Sequence, residues 1–304
     1  MSNIFNNLFS LGLPKDILNS PSLIVEGNKV IKEIPYPGIL IEKHEKLQGL
    51  FINITVLENI KPKKPIHLCL SKIGAGSQEI FVDILVGKNS KVKFISHCAF
   101  KGKNIKHITK TNFKVKQNAY LDIEEIHYHD KDLDILIDTQ SKGVVEDYGT
   151  YKSLFKIDKN NAGKVNVTYE VDVLNYASID IETKMAGRDG DDIFVKDIIY
   201  LKGKHSKAIS KSRIVALGKM RAEFYGETYG IGDYARGHID CSEIIRCKDV
   251  VLKATPVVVV NNPTAKVTHE AAIGSLDKKQ IQTLMLKGYD EDEAVEIIVR
   301  GLLK

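Results

Sequence analysis

The runs YKSLFKI (151–157), KVNVTYEVDVL (164–174), SIDIETKMAG (178–187), DIFVKDIIYLKG (192–203), KAISKSRIVALG (207–218), MRAEFYGETYG (220–230) and GHIDCSEII (237–245) decide the fold. Polar and apolar residues alternate along most of them, as in a strand that buries one face. The joints NNAG, GRDGDD, KGKHSK and GIGDYARG are turn formers. None is a two-residue hairpin turn, so consecutive strands are not expected to fold back on each other. A long series of this kind, roughly a dozen units, predicts strands stacked in a coil. The expected class is mainly β: a right-handed parallel β-helix, or solenoid.

Upstream the pattern persists in IHLCLSKI (66–73), QEIFVDILVGKNSKVKFISHCAF (78–100) and KHITKTNFKVKQNAYLDIEEIHYH (106–129). The turns GKNSKVKF and KQNAYLDI share the form x-Asn-small-x-apolar, as one repeating unit would. KVIKEI, GILIEKHE and LFINITVLENI also read as strands, and residues 130–149 as a connector rich in charge. Downstream, Val257–Val260 is β-branched throughout and Asn261-Asn262-Pro263 ends it as a turn.

The period then changes. Ile281, Leu284 and Met285 form one apolar stripe at helical spacing, and Ala294, Ile297, Ile298 and Leu302 a second, with Gly288 between them. Asp290 and Glu293 have the spacing of a capping box. A small C-terminal α-helical hairpin is expected. The organisation read from the sequence is an N-terminal arm at 1–30, a β-helix core at 31–262 and a C-terminal helical segment at 263–304.

The 304 residues, 43% of them apolar, suffice for a substantial core. The 44 basic and 39 acidic residues give a net charge of +5, with lysines spread over many turns. No clustered footprint for nucleic acid results. The four cysteines, Cys69, Cys98, Cys241 and Cys247, contain no CxxC pair. With no signal-peptide pattern and no apolar run long enough to span a bilayer, the expectation is a soluble cytoplasmic protein with reduced thiols. No P-loop, dinucleotide fingerprint, nucleophile elbow or HExxH helix is present. His127 and His129 share one face of a strand; they read as surface histidines or, alternatively, as a metal pair.

The stretch 236–274 gathers Cys241 on a strand and His269-Glu270 just past the next strand pair. Two readings are open: a small core cysteine, a surface histidine and a helix-capping glutamate, or a thiolate, imidazole and carboxylate ready for a metal.

The runs GHIDC (237–241), NNPTAKVTHEAAIG (261–274) and LDKKQIQTLMLKGYDEDEAVEIIVRG (276–301) resemble the C-terminal signature of the SufB/SufD family, scaffolds of SUF-type iron–sulfur cluster assembly. The likeness extends more weakly back to about residue 65. It implies the same β-helix and a scaffold rather than an enzyme. A transient iron–sulfur cluster would be built where two copies, or a SufB/SufD-type pair, meet. Cys241 and Glu270 match the cluster-building residues of SufB-type subunits and His269 the histidine that SufD-type subunits contribute, so the resemblance implies these three as metal ligands, and Cys98 in KVKFISHCAF matches the sulfur acceptor. His97 and Phe100 depart from the family pattern beside it, while Lys93, Lys101, Lys103 or His97 would lower the thiol's pKa; the competing reading of Cys98 is a buried solenoid cysteine.

The implied partners are a SufC-like ABC ATPase docking on the C-terminal helices, a sulfur donor, and apo iron–sulfur proteins that receive the cluster. The long cysteine-bearing N-terminal region of large SufB proteins has no counterpart here. Cys69 and Cys247 match no family position and read as core residues. The competing readings are a β-helix enzyme of carbohydrate-active or acyltransferase type, and a purely structural solenoid.

Overall fold

The computed structural model describes residues 2–304. It opens with helix α1 (Ser2–Leu11), a 3-10 turn at Lys15–Asn19, and strands β1 (Ser22–Glu26), β2 (Lys29–Ile34), β3 (Ile39–Lys46) and β4 (Gly49–Val56). Next come β5 (Ile66–Ile73), β6 (Gly76–Val86), β7 (Lys91–Lys101), β8 (Ile105–Val115), β9 (Tyr120–His129), β10 (Ile135–Val145), β11 (Thr150–Ile157) and β12 (Lys164–Val173). The solenoid continues through β13 (Ser178–Gly187), β14 (Asp192–Leu201), β15 (Lys207–Ala216), β16 (Arg221–Gly230), β17 (Arg236–Ile245), β18 (Val251–Val260) and β19 (Lys266–Ser275). Helices α2 (Lys278–Met285) and α3 (Glu291–Leu302) end the chain.

From β5 onward, odd-numbered strands build one sheet and even-numbered strands the other, each pairing in parallel with the strand one coil away. The result is the expected parallel β-helix, with two facing sheets of ten and nine strands. Period-two alternation explains it: β12 buries Val165, Val167, Tyr169, Val171 and Val173 and leaves the residues between them half-covered or exposed. The facing apolar rows make one continuous core.

The coil turns at a corner that recurs every 28–30 residues, seen at Gly87–Ser90, Lys116–Ala119, Glu146–Gly149, Leu174–Ala177, Gly203–Ser206 and Gly232–Ala235. In each, the fourth N–H donates to the first carbonyl and the third residue has positive φ. Asparagine tolerates that conformation and holds it in Asn89 and Asn118, whose side-chain amides bond down a ladder from Asn59. Further along, Tyr148, Tyr176, His205 and Tyr234 occupy it, with ring centroids stacked 4.9–5.2 Å apart. The two turns read as repeats are two of these corners.

Several expected boundaries move. The connector at 130–149 contains β10, whose apolar positions Ile135, Ile137 and Val145 are as buried as any in the core. Strand β1 begins inside the segment read as an arm, and β19 inside the segment read as helical, because each adds to the ten-stranded sheet. In α3 the covered face is Ala294, Val295 and Val299, with Leu303, packed near Ala186 and Val215 on the outer face of that sheet; Ile297 and Leu302 of the predicted stripe are exposed. The Asp290–Glu293 capping box forms as read. The helical hairpin therefore lies on the flank of the solenoid, and β18 and β19 end their sheets as free edges.

Candidate functional site

Strand β17 buries Gly237, Ile239, Cys241 and Glu243. In its register with β19, Ile239 lies opposite His269, Asp240 opposite Glu270, and Cys241 opposite Ala271. His269 thus has the inward parity of Cys241, whereas Glu270 has the outward parity of Asp240, which is ion-paired to Arg213. His269 and Glu270 are exposed at the free edge; Cys241 is covered by one coil. All three sit on the last two strands of one sheet, but a single chain turns the carboxylate to the other side.

The carboxylate that shares the face of Cys241 is Glu243. It is buried, accepts the Ser212 hydroxyl at 3.1 Å through one oxygen, and has no partner on the other. Burial pushes its pKa up to about 7. Burial, with Glu243 and Asp240 adding, pushes the Cys241 thiol up to about 12. The sequence reading passed over Glu243, although two-residue spacing from Cys241 on a strand was the signal for it.

Cys98 is fully buried on β7, on the inner face shared by Phe94, Ser96 and Phe100. Its Sγ lies 3.6 Å from Ser96 Oγ and 3.9 Å from Glu125 Oε1. The lysine-activation expectation is overturned. Lys93 and Lys101 point to the other face, where Lys93 pairs with Glu124 and Lys101 lies 3.9 Å from Asp130, and Lys103 is exposed in the turn. His97 sits on that other face as well, with Nε2 3.0 Å from Nδ1 of His67. Burial first, and then Glu125, pushes the Cys98 thiol well up instead.

His127 and His129 are likewise not surface residues. They are 2% and 3% exposed, inside the solenoid, because they share the inward parity of Leu121 and Glu125 on β9. Burial lowers the pKa of each, and of His107 across the core, to about 3. Cys69 is a core residue as read, beneath α1, while Cys247 is half-buried in a turn and belongs to no core cluster.

The donors that converge within the chain are Cys98, Glu125 and His127, whose ligand atoms lie within 4.8 Å of one another. His127 Nε2 is 2.9 Å from Glu125 Oε1. A thiol, a carboxylate and an imidazole grouped inside the solenoid can hold a cation or, without one, a compact neutral hydrogen-bonded set.

Comparison with known proteins bears on both ends of this arrangement. Residues 71–302 match the family model described as SUF system FeS cluster assembly, SufBD core domain. The chain is 37% identical over 294 residues to an iron–sulfur cluster assembly SufBD family protein of Methanocaldococcus jannaschii, covering 95% of this chain and 93% of that one. It is 34% identical over 284 residues to a SufBD family protein of Pyrococcus horikoshii, with 93% and 86% covered. With one of Archaeoglobus fulgidus the identity is 29% over 275 residues, with 86% and 69% covered. Among the described residues no helix is long and apolar enough to cross a membrane.

Proposed function

The chain belongs to the SufBD family of SUF-system iron–sulfur cluster assembly proteins, and on that premise we propose that it is the scaffold on which a nascent cluster forms, at the open end carrying Cys241, His269 and Glu270. The observation that carries this is the end itself. Two neighbouring strand edges are free, and a thiol lies one strand in from the edge on the same side as an imidazole.

Apolar Val251, Val260 and Ile273 are exposed there, and Leu252, Ala254 and Val258 of the last coil are only partly covered. A second copy, or a paralogue, set against these edges would satisfy their N–H and C=O groups and bury that surface. It would also supply a second set of donors, including a carboxylate that one chain alone turns away from Cys241. Iron and sulfide are the substrates here. Cys241 has to lose its proton to bind iron, and Glu243, whose pKa stands near neutrality, is the nearest inner-face carboxylate to take part.

The finer parts of the proposal concern partners. Met285, Leu286, Ile297 and Leu302 leave an exposed apolar surface on the hairpin, suited to docking a SufC-like ABC ATPase in a SufBC-type complex. Nucleotide-driven movement of that partner would strain the hairpin and reshape the open end, and the finished cluster would pass to apo acceptor proteins in the cytoplasm. Cys98 is proposed as the entry point for sulfur. It lies five strands from Cys241 in the same sheet, about 24 Å at roughly 4.8 Å per strand. Buried inward polar groups, among them Ser153, Thr183, Ser210 and Ser212, lie between the two. Family membership supports the scaffold reading over the carbohydrate-active and acyltransferase alternatives.

The test is anaerobic reconstitution with ferrous iron and sulfide. The full chain should develop the visible sulfur-to-iron absorption of a cluster, Cys241→Ala should lose it, and His269→Ala and Glu270→Ala should hold less iron. A Cys241→Ala protein that builds the wild-type cluster would overturn the assignment.

A further inference from the structure

The interior between β7 and β10 holds a group of donors that neither the core nor the cluster-building end accounts for. Cys98 and His127 are fully enclosed, and Glu125 Oε1 sits between them, 3.9 Å from the sulfur and 2.9 Å from the ring nitrogen. From the facing sheet comes His107, with no exposed surface and no hydrogen-bond partner for either ring nitrogen. Its ring centroid is 6.1 Å from that of His127, and it stands just outside the three donors that lie within 4.8 Å of one another.

Behind His127 a relay fixes the ring. His129 Nε2 is 3.4 Å from His127 Nδ1, and His129 Nδ1 is 2.7 Å from the carbonyl of Asn161. Thr139 Oγ1 lies 3.5 Å from Glu125 Oε1 and 2.9 Å from Thr109 Oγ1.

As a packed core this is expensive. Each unpartnered polar atom forfeits its hydration, and buried polar groups in native proteins are nearly always paired. A cation removes the anomaly. It turns the orphaned imidazole into a ligand and gives the half-buried Glu125 carboxylate a counter-charge. It also makes the His129 relay an outer shell of the kind that orients metal-bound histidines. Thiolate with imidazole and carboxylate selects zinc or ferrous iron over the oxygen-seeking magnesium and calcium, and these three donors, with His107 swinging in as a fourth, suit a closed tetrahedral site.

We propose that Cys98, Glu125, His127 and His107 form an internal site for one borderline divalent cation of the zinc and ferrous class. This goes beyond the cluster-assembly reading and constrains it: a Cys98 sulfur bound to metal is not free to accept sulfur, so metal occupancy and sulfur entry exclude each other.

Cobalt(II) titration of the metal-free full-length protein under anaerobic conditions tests the site. The expected result is a single equivalent of tetrahedral visible absorption with a near-ultraviolet sulfur-to-cobalt band, displaced by one equivalent of zinc. Cys98→Ser should lose the sulfur band. Glu125→Gln and His107→Phe should weaken cobalt binding by at least about tenfold. Far-ultraviolet circular dichroism checks that each variant is folded, and Cys98→Ala serves if the serine variant is not.

Zinc should raise the thermal midpoint of wild type and leave that of the Cys98 variants unmoved. Cys241→Ala should bind cobalt as wild type does, which separates this site from the open end. The proposal is overturned by absence of the sulfur band in wild type, by its survival in both Cys98 variants, or by its loss in Cys241→Ala alone.

Discussion

Gly203→Ala is expected to cost about 3 kcal/mol or more, enough to unfold a large fraction of the protein in mild denaturant. A β-carbon at position 203 would stand 2.0 Å from the carbonyl carbon of Leu174 and 2.1 Å from the amide nitrogen of Asn175. Both contacts are backbone atoms of the preceding corner, so no rotamer change relieves them. The corner above repeats the problem: a β-carbon at Gly232 would meet the Gly203 carbonyl oxygen at 2.0 Å. Separating these corners means breaking ladder hydrogen bonds on both sides, because Gly203 N–H and Gly232 N–H donate to Val173 O and Leu201 O of the coil below. Urea unfolding measures the cost. Gly274→Ala, where a β-carbon meets nothing within 4 Å, is the control and should unfold close to wild type. Equal midpoints for the two variants would show that the corners are not stacked backbone to backbone.

The second large effect is a pH dependence set by two inner carboxyls. Burial raises Asp197 from 3.8 to about 7 and Glu243 from 4.5 to about 7. Asp197 accepts the Ser210 hydroxyl at 2.5 Å through one oxygen, and its other oxygen has no partner. The unfolded chain releases these protons near pH 4, whereas the folded chain keeps them to near pH 7. The folded state therefore binds more protons in that window, and the stability these groups provide, complete at low pH, is lost as pH rises through about 7. The loss is about 4 kcal/mol for Asp197 and about 3 kcal/mol for Glu243.

His107, His127 and His129 act in the opposite sense. With pKa values lowered to about 3, they resist the charging that the unfolded chain undergoes below 6.5, so their contribution is lost as pH falls from 6.5 toward 3. Comparing wild type with Asp197→Asn/Glu243→Gln isolates the carboxyls, since the histidines cancel. Between about pH 5 and about pH 8 the variant should gain several kcal/mol relative to wild type in urea unfolding. A stability difference that stays constant with pH would refute the buried-carboxyl account.

Period-two alternation identified the strands, and the Asn-small turns identified the corners, because a parallel coil imposes the same local chemistry on every turn. The period change after Gly274 located the hairpin. What misled was local polarity. Residues 130–149 look like a charged connector because a strand with one wet face carries Asp138, Gln140 and Lys142 outward while Ile135, Ile137 and Val145 go in. His127 and His129 look like surface residues for a similar reason: a histidine does not announce which face it occupies. Their spacing from Leu121 and Glu125 held the answer, once Leu121 was known to point inward.

By itself the sequence determined the coil, its corners, the helical end and the kinship carried by Cys241 and His269-Glu270, since each is written in spacing along one strand or turn. Tertiary structure alone decided that Cys98 meets Glu125 and His127, that His107 approaches His127 from the opposite sheet, and that Glu270 turns away from Cys241. Contacts of that kind depend on register between strands about thirty residues apart and on which face each strand buries. Pairing and burial settle both only when the coils close.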